Sequence, residues 1–521
     1  MRIGIDVGGT NTDAVALDGE RVVAWTKTTT TADVLTGVAT ALAAVVAQVG
    51  TAAVEAVVIG TTQFVNAVVE ARRLAPVVVI RLATPPQTLE PFTDWPPPLA
   101  AAVRARAHVV GGGHQFTGEP LQALDADAVR EIARTAPEGC EFVVSGTFSP
   151  VNPDAEREAR DLIDRVRPGA SVTLSHQIGR LGMLERENAA ILNAALRPLA
   201  VRVITGFADA LADVGLDVPL FLSQNDGTVM NLALARAFPI LTIASGPTNS
   251  LRGAAFESAE TDCIVADVGG TTTDIGLVQG GFPRESAIAI DLAGVRTNFR
   301  IPDVVSLGIG GGSLVAEHDG QVSVGPESVG HRLTERALVF GGDTLTLTDV
   351  AVAAGLADVG DPALVAHLEA EFTGRVLAHV HERIAEAVER AKLSAAAIPV
   401  IAVGGGAFVV GDEMPGVSAV LRPGHAPVAN AVGAATANVG AEVDRIYSLA
   451  ERSRDDVLAE ARLRAHERAV EAGAVAGTVR IVDEEDLPLA YLQHTTRVRV
   501  RAVGDLGTFV PPREEQLHAA R

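Results

Sequence analysis

One octapeptide is written twice in this chain, Asp-Val-Gly-Gly-Thr-Asn-Thr-Asp at Asp6 to Asp13 and Asp-Val-Gly-Gly-Thr-Thr-Thr-Asp at Asp267 to Asp274. The copies agree at seven of eight positions and lie about half a chain apart. A Gly-Gly pair carries no Cβ atoms, so its backbone N–H groups can close on an anion, and the threonine hydroxyls add neutral donors. The chemistry this suits is phosphate binding, by Gly8, Gly9, Thr10 and Asn11 in the first copy and Gly269, Gly270, Thr271 and Thr272 in the second. Lysine occurs only at Lys27 and Lys392 and there is no G-x-x-x-x-G-K-[ST] loop, so no lysine is expected near either octapeptide. Phosphate charge must then be met by backbone N–H groups and a divalent cation. Asp6 and Asp267, each closing an apolar run, are suited to be the catalytic carboxylates and to hold Mg2+ through its waters. Asp13 and Asp274 admit two readings, as acceptors behind the metal or as turn caps.

Such loops need strands to carry them, and apolar runs flank both copies: Ile3 to Ile5 and Ala14 to Leu17, then Cys263 to Ala266 and Ile275 to Val278. Periodicity predicts strands at Arg2 to Asp6, Thr12 to Leu17 and Val22 to Thr28, a helix from about Asp33 to Val49, and a strand from Val54 to Gly60. That last strand delivers Gly60, Thr61 and Thr62 to a helix beginning near Gln63. After the second octapeptide the order recurs, with a third strand expected at about Arg284 to Ile290. The pattern predicts an α/β chain of two mixed-sheet halves facing a cleft. Two further glycine loops follow apolar runs. Gly404, Gly405 and Gly406 fit a surface on which an adenosine lies against backbone, whereas Gly308 to Ser313 is either part of that surface or a structural turn. The Pro-rich stretch Thr84 to Leu99 reads as a surface excursion. From Ala441 to about Ala472 a charged helix is predicted, then strands around Thr478 to Val482 and Thr495 to Val503. In the latter Arg497, Arg499 and Arg501 alternate with valines, which predicts a solvated face.

Composition narrows the class. With 521 residues, 48% apolar and 20% charged, the chain is globular and long enough for several domains. A formal charge of -22 argues against nucleic acid and anionic membrane surfaces as partners. Two distant cysteines, Cys140 and Cys263, make neither a disulfide framework nor a metal knuckle. The first residues enter a strand directly, and no apolar run reaches the ~18 residues that span a bilayer, so a cytoplasmic location is expected.

The paired D-V-G-G-T loops and V-G-G-G-A at Val403 to Ala407 resemble the actin, sugar kinase and Hsp70 ATPase superfamily. More narrowly, the chain resembles the hydantoinase/oxoprolinase family in its A-type, ATP-binding subunit. The stretches that carry this are G-T-T-Q-F-V-N-A-V-V-E at Gly60 to Glu70, F-S-P-V-N-P at Phe148 to Pro153, L-S-H-Q-I at Leu174 to Ile178 and E-R-E-N-A-A-I-L-N-A at Glu185 to Ala194. They continue with S-Q-N-D-G at Ser223 to Gly227, S-G-P at Ser245 to Pro247, G-I-G-G-G-S, and G-P-E-S-V-G at Gly325 to Gly330. They run in family order over about residues 1 to 440. Departures are a missing Gly-Pro-Ala-Cys-Tyr-Gly stretch after the G-P-E-S segment, no match around Thr84 to Leu99, a shorter chain, and no fused B-type half.

The resemblance implies a duplicated actin-like (ribonuclease H-like) fold divided at about 1–195 and 196–440, with a small α+β extension over 441–521. It implies ATP and Mg2+ as cofactors and the ATP-dependent opening of a cyclic amide or imide, such as a hydantoin, 5-oxoproline or a lactam. The physical logic is that an unstrained lactam is a poor electrophile until its carbonyl oxygen becomes a phosphate ester. A B-type hydrolytic subunit and a homo- or hetero-oligomer are the implied assembly. Thr61, Thr62, Asn66, His176 and Asn225 are singled out as substrate contacts, with a helix cap for Asn66 and a satisfied buried histidine for His176 as the other readings. A small-metabolite kinase and a noncatalytic ATP-binding switch are the alternatives. There is no G-x-S-x-G elbow, S-x-x-K pair or H-E-x-x-H helix.

Overall fold

The computed structural model describes residues 1–507, apart from Thr10, Arg180, Arg300, Glu451 and the segments 30–33, 86–88, 287–289 and 490–493. The chain opens as an antiparallel meander, β1 (Arg2–Val7), β2 (Asn11–Asp18) and β3 (Arg21–Thr29). After α1 (Val34–Val49), β4 (Ala56–Thr61) returns parallel to β1 and runs into α2 (Gln63–Val69). A separate parallel sheet in the order β6-β5-β7-β8 follows. It is built from β5 (Val77–Leu82), α3 (Pro97–Val103), β6 (Arg104–Val110), α4 (Ala126–Thr135), β7 (Glu141–Gly146), α5 (Asp154–Val166) and β8 (Val172–Leu174). The helix α6 (Met183–Asp213) then leads back to β9 (Leu220–Ser223) and β10 (Val229–Asn231), which extend the first sheet beyond β4.

Through α7 (Leu232–Ala237) and α8 (Ser245–Ser258) the chain reaches its second half: β11 (Cys263–Val268), β12 (Thr273–Gln279), β13 (Phe282–Pro283), the hairpin β14 (Ile290–Leu292) and β15 (Val295–Thr297), then β16 (Val304–Leu307). The pair β17 (Ser313–His318) and β18 (Gln321–Ser328), three helices α9 (Leu333–Arg336), α10 (Leu347–Ala353) and α11 (Ala370–Ala391), and strands β19 (Ile398–Val403) and β20 (Val417–Leu421) complete it. The last elements are α12 (Ala429–Thr436), β21 (Val439–Ser448), α13 (Arg454–Glu471), β22 (Arg480–Pro488) and β23 (Thr495–Gly504).

The first sheet reads β22-β23-β21-β10-β9-β4-β1-β2-β3 and the second β13-β12-β11-β19-β20, with β16 also against β12. Both share one arrangement: an antiparallel hairpin, a third strand outside its second, and a fourth and fifth parallel to its first. The chain is therefore of the α/β class with two mixed sheets.

Several expectations change. The strand predicted at Arg284 to Ile290 is not formed as such: the edge of β12 is shared by β13 and β16, and 287–289 lie outside the described residues. The division at 195/196 falls inside α6, and β9 and β10 belong to the first sheet. The helix predicted from Ala441 begins only at Arg454, because Val439–Ser448 is a strand whose Glu442 and Asp444 stand opposite Arg501 and Arg499 of β23. The C-terminal strands thus finish the first sheet instead of forming an extension. For the same reason the arginine face is not solvated. Arg497 pairs with Asp444, Arg499 with Glu285, Glu442, Asp483 and Glu485, and Arg501 with Asp226 and Glu285. Glu285 follows β13, so this ladder ties the C-terminal strands to the second half. Finally, α6 is, among the described residues, long and apolar enough to cross a membrane, against the expectation that no segment is; it is mostly buried, against α1, β7 and β15.

Where the halves meet, α8 packs on β11 and β19 while α12 packs on β1 and β2, and the two helices cross each other closely. Glycine permits it. A Cβ on Gly253 of α8 would stand 1.8 Å from the Ala429 carbonyl oxygen, and one on Gly433 of α12 would stand 1.9 Å from that of Asn249. Both obstacles are backbone, which cannot rotate away. We expect Gly433→Ala to cost about 3 kcal/mol or more of stability, measured by chemical denaturation. Gly374→Ala, with open space around its site in α11, should be neutral or stabilising by up to about 1 kcal/mol.

Candidate functional site

The two octapeptides fold as two copies of one hairpin. In the first, Asp6 is opposite Asp13 and the Gly8 N–H donates to the Asn11 carbonyl at 2.9 Å; in the second, Asp267 is opposite Asp274 and the Gly269 N–H donates to that of Thr272 at 2.8 Å. Each central strand therefore ends in a carboxylate beside a glycine turn. Glycine from a neighbouring strand also lies against each carboxylate. A Cβ on Gly60 would sit 2.3 Å from Asp6 Oδ1, and one on Gly404 would sit 2.4 Å from Asp267 Oδ1.

Two helices set the electrostatics. Asn249 of α8 donates to Asp6 Oδ1 at 3.1 Å, and Asn430 of α12 donates to Asp6 Oδ2 at 3.1 Å and to Asp13 Oδ2 at 3.0 Å. Burial pushes Asp6 up from 3.8 to about 6, with Asn249 pulling the other way and Asp13 adding to the rise. Burial likewise pushes Asp267 up to about 6, opposed by the hydroxyl of Ser250, the next residue on α8. Neighbouring positions on one helix thus serve the two halves. Asp13 is raised by burial, against the ammonium of Lys27, and Asp274 is raised by burial against a 2.5 Å hydrogen bond from Ser306.

A cleft of about 480 Å³ opens between the hairpins. It is lined by Asp6, Gly8, Gly9, Asn11, Asp13, Asp267, Gly269, Gly270, Thr271, Asp274 and Gly404 to Gly406, with Gly246, Pro247 and Ser250 of α8. Gly246 and Pro247 lie in the first turn of α8, so the positive end of that helix's dipole faces the cleft. The large apolar side chains of the lining, Leu333, Phe340, Val359 and Phe408, belong to the second half, and Pro247, Ala426, Pro427 and Ala429 line the cleft as well. A larger cavity, about 1060 Å³, opens near Arg252 to Thr261 past the far end of α8 and contains none of the motif residues.

Lys27 also lines the cleft, which corrects the sequence reading that neither octapeptide has a lysine near it. It sits on β3 opposite Asp13, a proximity that register creates and sequence separation hides. Thr10 lies outside the described residues, and Thr272 is in the second turn but off the cleft lining. The loop Gly308 to Ser313 takes the structural role: Gly311 and Gly312 donate to the Gly269 and Gly270 carbonyls at 2.9 and 2.7 Å and so brace the second turn, with Gly311 alone reaching the cleft.

Of the five residues singled out as substrate contacts, only Thr62 lines the cleft. Thr61 is buried and accepts from the Gln63 N–H at 3.2 Å. Asn66 is exposed inside α2 and caps nothing. His176 pairs with the buried Glu156 at 2.6 Å beside the small parallel sheet. Burial alone would raise Glu156, but His176 and Arg186 hold it down to about 2. Asn225 is buried, and its carbonyl accepts from Thr248 of α8 at 3.0 Å. Sequence reasoning missed Asn249, Ser250 and Asn430. The first two come just after the S-G-P stretch, with Thr248 between, a usable signal; Asn430 stands in no motif.

Among the described residues no three His, Cys, Asp or Glu side chains are grouped closely enough to hold a metal alone. The fit is with a hard cation bound by one or two carboxylates, waters and a ligand's phosphates. Raised carboxyls have a pH signature. The folded chain binds these protons more tightly than the unfolded one, so their contribution is complete below about pH 4 and lost as pH rises through about 6, about 3 kcal/mol for Asp6. Wild type should therefore lose thermal stability between about pH 4 and about pH 6.5, and the Asp6→Asn, Asp267→Asn double variant should lose distinctly less. Mg2+ should recover the loss in wild type alone, and equal pH slopes in the two proteins would contradict this.

Comparison with known proteins places the chain. The family described as hydantoinase/oxoprolinase N-terminal region matches residues 2–167, and that described as hydantoinase/oxoprolinase matches residues 186–361. An uncharacterised protein of Methanocaldococcus jannaschii is 25% identical over 74% of this chain and 61% of its own length. The caprolactamase alpha subunit of Pseudomonas jessenii is 26% identical over 68% of this chain and 55% of its own length, so the chain spans little more than half of these relatives. The acetone carboxylase beta subunit of Xanthobacter autotrophicus is 26% identical over 43% of this chain and 32% of its own length. Among solved structures, the ATP-dependent caprolactamase from Pseudomonas jessenii superposes with a TM-score of 0.77 at 19% identity, covering 98% of this chain and 89% of that one. A nucleotide-free acetone carboxylase gives 0.67 at 18% identity, covering 99% and 89%. These likenesses show a shared fold. The two family matches together take in well over half the chain, which belongs to the hydantoinase/oxoprolinase family.

Proposed function

We propose that this chain is the ATP-binding subunit of an enzyme that phosphorylates the carbonyl oxygen of a cyclic amide or imide, of hydantoin, 5-oxoproline or lactam type, so that water can open the ring. The observation that carries this reading is the pair of equivalent hairpins, each presenting a carboxylate and a glycine turn to one cleft. In this reading the two halves are a duplicated actin-like (ribonuclease H-like) ATPase core. The first runs to about residue 231 and is completed by the strands after residue 438.

Gly8, Gly9, Thr10 and Asn11, with Gly269 to Thr272, hold the phosphate chain, and Gly404 to Gly406 with the large apolar side chains of the lining take the adenosine. Asp6 and Asp267 would hold Mg2+, whose chemistry is to neutralise charge on the transferring phosphoryl group. Phosphoryl transfer asks mainly for positioning and charge neutralisation. Asn249, Ser250 and Asn430 position the carboxylates, and the first turn of α8 meets anionic charge. Thr62, at the cleft edge, is the side chain we assign to the acceptor. The subunit names among the relatives support a hetero-oligomer, and in this reading the other subunit is a B-type hydrolytic partner. The relative named acetone carboxylase beta subunit favours a second reading, in which the substrate is a ketone.

Phosphate release with Mg-ATP, against a panel of hydantoins, 5-oxoproline, lactams and ketones with bicarbonate, tests the proposal. It should include any protein that copurifies from the native host. A cyclic amide is expected to stimulate release and to appear ring-opened, while stimulation confined to ketones selects the second reading. Asp6→Asn should lower turnover by about 100-fold or more, and wild-type turnover in that variant would remove Asp6 from the mechanism.

A further inference from the structure

Four carboxylates, those of Asp6, Asp13, Asp267 and Asp274, face the cleft, and among its described lining residues Lys27 is the only lysine or arginine. That balance is poorly matched to a polyphosphate, since one divalent cation offsets only part of a triphosphate's charge. In the structure the Lys27 ammonium donates to both Asp13 oxygens, at 2.8 and 2.9 Å, and to the Pro427 carbonyl at 2.9 Å. The two partners are held unequally. Asp13 is 3% exposed and keeps a second donor in Asn430, whereas Lys27 is 29% exposed on a flexible stem with three rotatable donors. Lys27 is the half of the pair that can leave. Position says what it would meet: the large apolar side chains of the lining are in the second half, so a nucleotide with its base against them extends its phosphate end toward Asp6 and Lys27.

Building on the nucleotide reading above, we propose that Lys27 is a catalytic residue that exchanges its Asp13 partner for the terminal phosphate of the bound nucleotide. Asp13 stays in place on Asn430, and the positive charge that enters with the nucleotide's divalent cation takes over its balance. Lys27 then distinguishes nucleotides by the length of their phosphate chain and relaxes back to Asp13 when that chain is shortened.

The chain has only two lysines, so protein labelled with 15N and 13C in lysine alone gives two side-chain ammonium resonances. The other, Lys392, is held by Glu389 and the Gly416 carbonyl and is an internal control. Saturating Mg2+ with a non-hydrolysable ATP analogue should shift the Lys27 signal and slow its proton exchange, AMP should not, and Lys392 should respond to neither. By calorimetry, Lys27→Met should weaken the triphosphate analogue about tenfold or more while leaving AMP unchanged, and Lys27→Arg should recover part of the loss. Because Lys27→Met strands a buried carboxylate, an Asp13→Asn, Lys27→Met variant removes both charges and should show the same selective loss. An unmoved Lys27 signal at saturation, or a wild-type ratio of triphosphate to AMP affinity in both variants, overturns the proposal. Wild type binding neither ligand overturns the nucleotide reading, and this inference with it.

Discussion

The close crossing of α8 and α12 is the contact on which the site depends. Gly253 and Gly433 allow each helix backbone to rest on the other, with no side chain between them to be compressed or to slip. One helix belongs to the second sheet and the other to the first, so their separation sets the separation of the halves. The same two helices present Asn249, Ser250 and Asn430 to the carboxylates. Backbone packing, amide donors and carboxylate protonation form one chain of cause, in which a shift at the crossing is felt at Asp6.

Charge is the second organising term. Burial makes ionised Asp6 and Asp267 unfavourable without a cation, as their position near 6 reflects. In the proposed reading the groups offered to an anion are mostly neutral: turn N–H donors and the start of α8, with Lys27 the single lysine or arginine of the described lining. Behind the cleft, the Arg499 and Arg501 network joins β23 to Glu285 of the second half and Asp226 of the first. The C-terminal strands therefore bridge the two halves.

Much of this was legible in the sequence because a repeated octapeptide between apolar runs specifies hairpin, turn and carboxylate together. The α/β class and the pairing of Asp6 with Asp267 follow from it. Lys27 was not legible: fourteen positions separate it from Asp13, and only the β2 to β3 register makes them neighbours. Asn249 and Asn430 are single amides whose importance lies in where two helices cross, which local pattern does not encode. Glu442 and Asp444 suggested a charged helix because their arginine partners are more than fifty residues away on β23. Asn66 and His176 stood in stretches shared with the family, yet one is exposed on α2 and the other serves Glu156. A shared stretch marks a constrained position without saying whether the constraint is chemical or structural.

The central claim, that ATP activates a carbonyl oxygen by phosphorylating it, has a direct isotopic test. A cyclic amide that stimulates the enzyme would be prepared with 18O in its carbonyl and turned over with Mg-ATP, and the released phosphate analysed by mass. If the carbonyl oxygen is phosphorylated, a first water adds to the carbon and the ring C–N bond breaks, the nitrogen taking up a proton and leaving an acyl phosphate. A second water then attacks the acyl carbon, so that the original oxygen departs with the phosphate and one 18O should appear in phosphate for each ring opened. Phosphate free of label, with all the 18O retained in the ring-opened acid, would contradict the account.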